Sequence, residues 1–225
     1  MTNNPFVEDP KAFETGVQLW KQGDLIKAVS AFEAVVFHNK QNADAWRMLG
    51  VCHAECDDDT RAINALAHAV DVDPNHLNAL LDLGVCYTNE LNKMRALVYL
   101  KTWLQHHPSY AHLVEQFDAE LKQKKKDEQK EEDMNQLYNY FHMHQEVTSL
   151  FVKASQQSQD ADLFSVLGVL FNISHDYENA TQSFQTAVKL RPTDYSLWNK
   201  LGATQANSAR SDEAGMDERG NIVLE

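Results

Sequence analysis

Basic charge is scarce in this sequence: 20 Lys and Arg stand against 33 Asp and Glu, for a net charge of −13. Nucleic acid and anionic membrane both demand a basic face, so neither suits this chain as a partner. A basic peptide fits better. Cysteine is nearly absent, with Cys52, Cys56 and Cys86 alone. An odd, low count in a chain of this size suits a reducing compartment and not a disulfide scaffold. Long apolar runs are missing too: no window approaches 18 uncharged apolar residues, so no direct membrane insertion is expected. The start, Met1-Thr-Asn-Asn-Pro-Phe-Val-Glu-Asp-Pro10, has no apolar stretch and no basic opening, which speaks against a secretory signal. The expected location is the cytoplasm.

Catalytic and metal-binding patterns are also wanting. No P-loop, Rossmann or nucleophile-elbow motif occurs. Cys52 and Cys56 stand four apart on one helix, but a structural zinc site needs four ligands and no second pair follows in pattern. They read as buried structural residues. His142 and His144 face different sides of a helix, and Asp57-Asp-Asp59 lacks the glycine and spacing of a calcium loop. His106-His107 precedes Pro108 at a helix end, where the negative dipole favours histidine. No cofactor, metal or enzymatic activity is expected.

What the chain does have is a period. Ala28, Ala62 and Ala96 recur at a step of 34, as do Ala180 and Ala214. Gly16, Gly50, Gly84, Gly168 and Gly202 keep the same step, each 12 residues before its alanine. Small residues at fixed places in a 34-residue period mark the tetratricopeptide repeat, a pair of antiparallel helices that stacks on its neighbours. The spacing predicts an all-α fold: a right-handed superhelix of antiparallel helix pairs, in two repeat clusters joined by an irregular hinge. An apolar fraction of 43% supplies enough side chains for such packing.

Three units fill an N-terminal cluster over residues 1–112, with Pro74 and Pro108 closing the second and third. The phase then breaks, because Ala96 and Ala180 differ by two periods and a remainder. Residues 113–135 read as a charged linker or hinge, either a solvated helix or a disordered stretch, built around Leu121-Lys-Gln-Lys-Lys-Lys-Asp-Glu-Gln-Lys-Glu-Glu-Asp133. Tyr138, Phe141, Val147, Leu150, Phe151 and Ala154 then restore helical spacing in a degenerate unit. An incomplete C-terminal cluster covers 136–214, in which Ala214 begins the second helix of a fifth unit. Residues 215–225 form a non-repeat tail.

In this repeat the first helix of each pair lines the concave groove, and its inward positions follow helical spacing. They include Glu55 in the second unit and Val85, Thr88 and Asn89 in the third. Asn172 falls there in the unit opened by Ala161, and Asn199, Ala203 and Asn207 in the last. Asparagine is a poor helix former, so four on one wall suggest use. Its amide can pair with the C=O and N–H of a peptide bond together. Val85 and Ala203 leave room for a backbone to approach. The other reading is that these amides are simply the solvated polar residues of a groove wall.

The stretches Val85-Cys-Tyr-Thr-Asn-Glu90, Pro108-Ser-Tyr-Ala-His-Leu113, Gly168-Val-Leu-Phe-Asn172 and Asp194-Tyr-Ser-Leu-Trp-Asn-Lys-Leu-Gly-Ala-Thr-Gln-Ala-Asn207 resemble the repeat domain of the peroxisomal (or glycosomal) targeting signal type 1 receptors. The likeness runs to about Arg210 and includes the Gly23-Asp24 turn. It implies an import receptor that binds matrix proteins by a C-terminal Ser-Lys-Leu-type tripeptide and cycles between the cytoplasm and the peroxisomal or glycosomal membrane. It also implies import-machinery partners. In the family, asparagines clamp the peptide main chain; Asn89, Asn199 and Asn207 occupy matching places, beside Thr88, Val85 and Ala203. Glu55 is placed to attract the cargo lysine, and Asn172 matches a supporting asparagine. The family continues with a further repeat and a helical bundle, whose arginine and asparagines hold the cargo carboxylate; Arg210 and Arg219 do not sit in that pattern. The chain is accordingly expected to be a truncated array. The alternative function is a protein-interaction scaffold or regulator that carries no cargo.

Overall fold

The computed structural model describes residues 4–127 and 136–214, with side chains placed over 4–120 and 139–209. All regular structure among the described residues is helical. In chain order it comprises α1 (Ala12–Lys21), α2 (Leu25–His38), α3 (Ala43–Glu55), α4 (Asp59–Val72), α5 (Leu77–Asn89), α6 (Lys93–His106), α7 (Ala111–Asp127), α8 (Gln136–Gln157), α9 (Ala161–Ile173), α10 (Tyr177–Leu190) and α11 (Tyr195–Ala214). Two compact units result, residues 1–112 and 113–225.

One local recipe makes each helical hairpin. A residue with positive φ ends the first helix, and the next residue caps the second. Gly23, Asp57, Leu91 and His175 have φ of 80°, 58°, 56° and 62°. The side chains of Asp24, Asp58, Asn92 and Asp176 then accept backbone N–H groups from Lys27, Arg61, Arg95 and Asn179 at 3.1–3.3 Å. A left-handed residue satisfies the outgoing helix end, and the cap satisfies donors that the incoming helix would leave unpaired.

The repeating glycines set how closely the two helices approach. A Cβ added at Gly16, Gly50, Gly84 or Gly168 would lie 2.9, 2.6, 2.8 or 2.7 Å from a side-chain atom of Phe32, Leu66, Leu100 or Phe184. Those four side chains are fully buried, as are Ala28, Ala62, Ala96 and Ala180. Each large one contributes about 1.5–3 kcal/mol of apolar burial. The hairpins α1–α2, α3–α4 and α5–α6 stack in the first unit through α2 on α3 and α4 on α5. The second unit packs α8 on α9, α9 on α10 and α10 on α11.

Within the charged stretch at 113–135, α7 runs through residue 127 and buries Leu113 and Val114 near its start. Residues 128–135, the tail 215–225 and Arg219 lie outside the described residues, as does the side chain of Arg210. The degenerate unit is the long helix α8. Val147, Leu150, Phe151 and Ala154 are buried along it, whereas Phe141 is exposed.

The fifth unit departs from expectation. Ala209 takes the place that Gly23, Asp57, Leu91 and His175 hold, yet α11 continues unbroken to Ala214. Arg210 stands where the other units have a capping Asp or Asn, so nothing there competes with helix propagation. Ala214 therefore ends α11 and does not open a second helix.

Candidate functional site

First helices lie side by side in the N-terminal unit, α3 touching both α1 and α5. Two polar links stitch them together. Trp20 donates its indole N–H to Glu55 Oε1 at 3.0 Å, and Arg47 Nε donates to Asp82 Oδ2 at 2.7 Å. Both links span 35 residues, one repeat plus one position, and the Arg47–Asp82 pair is half-buried. On this wall sit Glu55 at the end of α3 and Val85, Thr88 and Asn89 in the last turn and a half of α5.

These four residues differ in freedom. Asn89 is exposed, and its amide donates weakly to Asp59 Oδ1 at 3.4 Å. Thr88 and Val85 are half-buried, and the Thr88 hydroxyl is turned back onto the Val85 carbonyl at 2.6 Å. Val85 therefore offers an apolar spot beside an accessible amide. Glu55 is exposed and fixed by Trp20, which presents its carboxylate on the same wall. The arrangement can donate and accept hydrogen bonds from a main chain and can attract a cation.

In the C-terminal unit, Asn199, Ala203 and Asn207 follow at steps of four along α11 and so share one side of the helix. Asn199 and Ala203 are exposed and Asn207 is half-buried. Asn172 differs: its amide donates to the hydroxyl of buried Thr204 at 3.4 Å, linking α9 to α11. It acts as a brace between first helices. None of the four asparagines is sealed in the interior.

Sequence reasoning placed Arg47 on the inward side of its helix but passed over Trp20, Asp82 and Thr204, which with Arg47 hold neighbouring first helices in register. The 35-residue separation shared by Trp20–Glu55 and Arg47–Asp82 is a signal that could have found Trp20 and Asp82.

Among the described residues, no group of three or more His, Cys, Asp or Glu is placed to hold a metal ion. Cys52 and Cys86 are buried and Cys56 is exposed. Burial, with Glu55 and Cys56 nearby, pushes the Cys52 thiol up to about 12, far from a reactive thiolate. His144 Nε2 pairs with the Leu170 carbonyl at 2.9 Å, a structural tie between α8 and α9. A cavity of about 470 Å³ beside Val7, Phe13, Val35, His38 and Asn42 contains none of the groove residues. No described helix is long and apolar enough to cross a membrane.

Residues 19–75 match the tetratricopeptide repeat family. The chain is 37% identical over 215 residues to the PEX5-related protein of Mus musculus, covering 94% of this chain and 37% of that protein. It is 39% identical to the peroxisomal targeting signal receptor of Yarrowia lipolytica, over 93% of this chain and 34% of the relative. It is 45% identical to peroxisome biogenesis protein 5 of Arabidopsis thaliana, over 81% of this chain and 22% of the relative. The chain thus spans about a third of the length of the curated relatives it matches. The crystal structure of MamA protein aligns with a TM-score of 0.46 at 15% identity, covering 90% of this chain and 84% of that one. Residues 19–75 thus match the tetratricopeptide repeat, the helical hairpins repeat at its period, and nearly the whole chain is similar to part of the peroxisomal targeting signal receptors.

Proposed function

We propose that this chain is a cargo-recognition module for peroxisomal import, gripping the C-terminal Ser-Lys-Leu-type tripeptide of matrix proteins by its main chain. The observation that carries this reading is the line Asn199–Ala203–Asn207 on α11. It sets two amides four residues either side of an exposed small residue. An extended peptide passing over Ala203 meets both amides, and each can donate to a peptide C=O and accept from an N–H. Within the N-terminal unit, taken by itself, Asn89 beside Val85 has the same amide chemistry. Glu55 offers the charge that a cargo lysine needs. The name peroxisomal targeting signal receptor, carried by relatives, supports the biological setting; work from the cytoplasm and contact with import-machinery proteins are part of the proposal.

Titrating the chain with a peptide ending in Ser-Lys-Leu, against the same peptide amidated, tests the proposal. If the amides of this chain also hold the free carboxylate, without the further repeat that does so in the family, those charge-assisted bonds contribute about 1.5–3 kcal/mol and the amidated peptide should bind roughly tenfold to a hundredfold more weakly. Equal binding of both peptides, or binding of neither, would remove carboxylate-dependent cargo recognition from this chain and favour a scaffold.

A further inference from the structure

Leu91 carries two costs at once. Its φ of +56° lies in the left-handed region, which a bulky side chain seldom adopts. Its side chain is also 79% exposed. The other units fill this turn with Gly23, Asp57 and His175, types that tolerate the conformation and suit water. Local folding alone gives no reason for a leucine here.

The exposure continues along α6. Met94 is 38% exposed and Val98 46%; the two lie one turn apart on α6, and with Leu91 in the turn before the cap Asn92 they form an exposed apolar patch at the start of the helix. The corresponding places carry Thr60 and Asn64 on α4, and Glu178 and Gln182 on α10. On α2 they are Ile26 and Ser30, so a consecutive apolar pair occurs on α6 alone among these second helices. The charge is equally local. Over Lys93–His106 the sequence has Lys93, Arg95 and Lys101 and no acidic residue, in a chain of net charge −13. Arg95 and Lys101 stand three residues before and after Val98, on its side of the helix. Arg95 is held there by Tyr87, whose hydroxyl accepts from Nη1 at 3.2 Å and whose ring lies 5.6 Å from the guanidinium carbon.

We propose that the exposed apolar patch formed by Leu91 of the turn with Met94 and Val98 of α6 docks an acidic amphipathic helix from a partner protein, at a site separate from the amide-bearing first helices. The Met94–Val98 step of four makes a short ridge that fits between side-chain rows of another helix. It covers about one turn, roughly 6 Å at 1.5 Å per residue, and Leu91 extends the patch into the turn. Methionine at its centre adapts to differently shaped apolar partners. Carboxylates flanking the partner's apolar stripe would meet Arg95 and Lys101 inside the roughly 8 Å over which charges act at physiological salt. An anionic membrane fits less well, since surface recruitment calls for clusters of about 4–8 basic residues and the whole chain is acidic.

The test uses the full chain and a labelled 18-residue synthetic helix with leucines at steps of three and four, flanked by glutamates. A second peptide carries lysine at every glutamate. Fluorescence anisotropy should show the glutamate peptide binding at least tenfold more tightly, with no displacement by excess Ser-Lys-Leu-terminated peptide. Val98→Asp should weaken it by about tenfold or more. Leu91→Asn should weaken it similarly while raising Tm by about 2–4 °C, because asparagine tolerates positive φ. That opposition of stability and binding is what a merely decorative surface would not produce. Equal binding of both peptides, indifference to both substitutions, or displacement by the Ser-Lys-Leu peptide would overturn the proposal. So would preferential capture of phosphatidylserine vesicles over neutral ones, or self-association abolished by Leu91→Asn.

Discussion

Leu66 closes over Gly50 so tightly that a Cβ on the glycine would lie 2.6 Å from Leu66 Cγ and 3.1 Å from the Ala62 carbonyl oxygen. Both obstacles belong to α4, and the second is backbone, so the hairpin cannot simply swing a side chain aside. Gly50→Ala should destabilise the chain by about 1–3 kcal/mol, the usual cost of overpacking a filled core. Gly202 holds the same repeat position on α11 and meets nothing within 4 Å. Gly202→Ala should therefore stabilise α11 by up to about 1 kcal/mol, through helix propensity alone. Opposite signs at equivalent positions, read from urea unfolding, are the expected result; equal destabilisation at both would mean that α11 is covered as closely as α3.

The amides divide into two kinds, and substitution should separate them. Asn199→Ala and Asn89→Ala remove exposed groups, so binding of a Ser-Lys-Leu-terminated peptide should fall roughly five- to a hundredfold with unfolding midpoints unchanged. Asn172→Ala instead takes a partner from the buried Thr204 hydroxyl. It should cost about 1–3 kcal/mol of stability before any binding effect appears. Calorimetric titration and thermal melts on the same three variants distinguish these outcomes.

These contrasts show how far the sequence could be read. The 34-residue step of small residues located every glycine contact, because close helix packing leaves no freedom at Gly16, Gly50, Gly84 and Gly168. It placed Asn89 and Asn199 on accessible surface for the same reason, since helical phase fixes which side a residue faces. The step failed at Ala214. Small residues tolerate a helix crossing but do not cause a turn, and the turn is made by a left-handed residue followed by a cap. Trp46 and Trp198 illustrate the consequence. Each donates its indole N–H to a carbonyl six residues earlier, Lys40 and Pro192, at 2.9 Å. His68 of α4 stacks on Trp46 at 4.7 Å, while Trp198 remains 52% exposed. Links such as Asn172–Thr204 were illegible because they depend on how neighbouring repeats register, which no single repeat encodes.

Acid should weaken the N-terminal unit through His53. Burial holds this imidazole below its ordinary value, with Arg61 adding to the effect and Asp58 and Glu33 opposing it. A depressed folded value means that the unfolded chain takes up the proton first as pH falls. Stability from this group is therefore full above about pH 6.5 and declines as pH drops through that value toward the folded one. His53→Gln should flatten the slope of unfolding free energy between about pH 7 and 5. A slope identical in both proteins would assign the acid sensitivity to other groups.

The turn rule can be tested by installing it. Gly23-Asp24, Asp57-Asp58, Leu91-Asn92 and His175-Asp176 each pair a positive φ with a capping side chain, whereas Ala209-Arg210 lies inside α11. Ala209→Gly costs the continuous helix about 1 kcal/mol. Arg210→Asp makes a local cap that contributes about 1 kcal/mol to a helix starting at the following residue. Together they shift the balance at this one point by about 2 kcal/mol, enough to reverse a modest preference for continuation. The double variant should end α11 near Ser208, seen as loss of helical Cα chemical shifts at 209 and 210 with shifts at Leu197–Leu201 unchanged. Either substitution alone should leave the helix continuous, since each supplies only half of the recipe. If the double variant also stays helical through 210, the break at the other four hairpins must be imposed by packing of the second helix and not by the turn sequence.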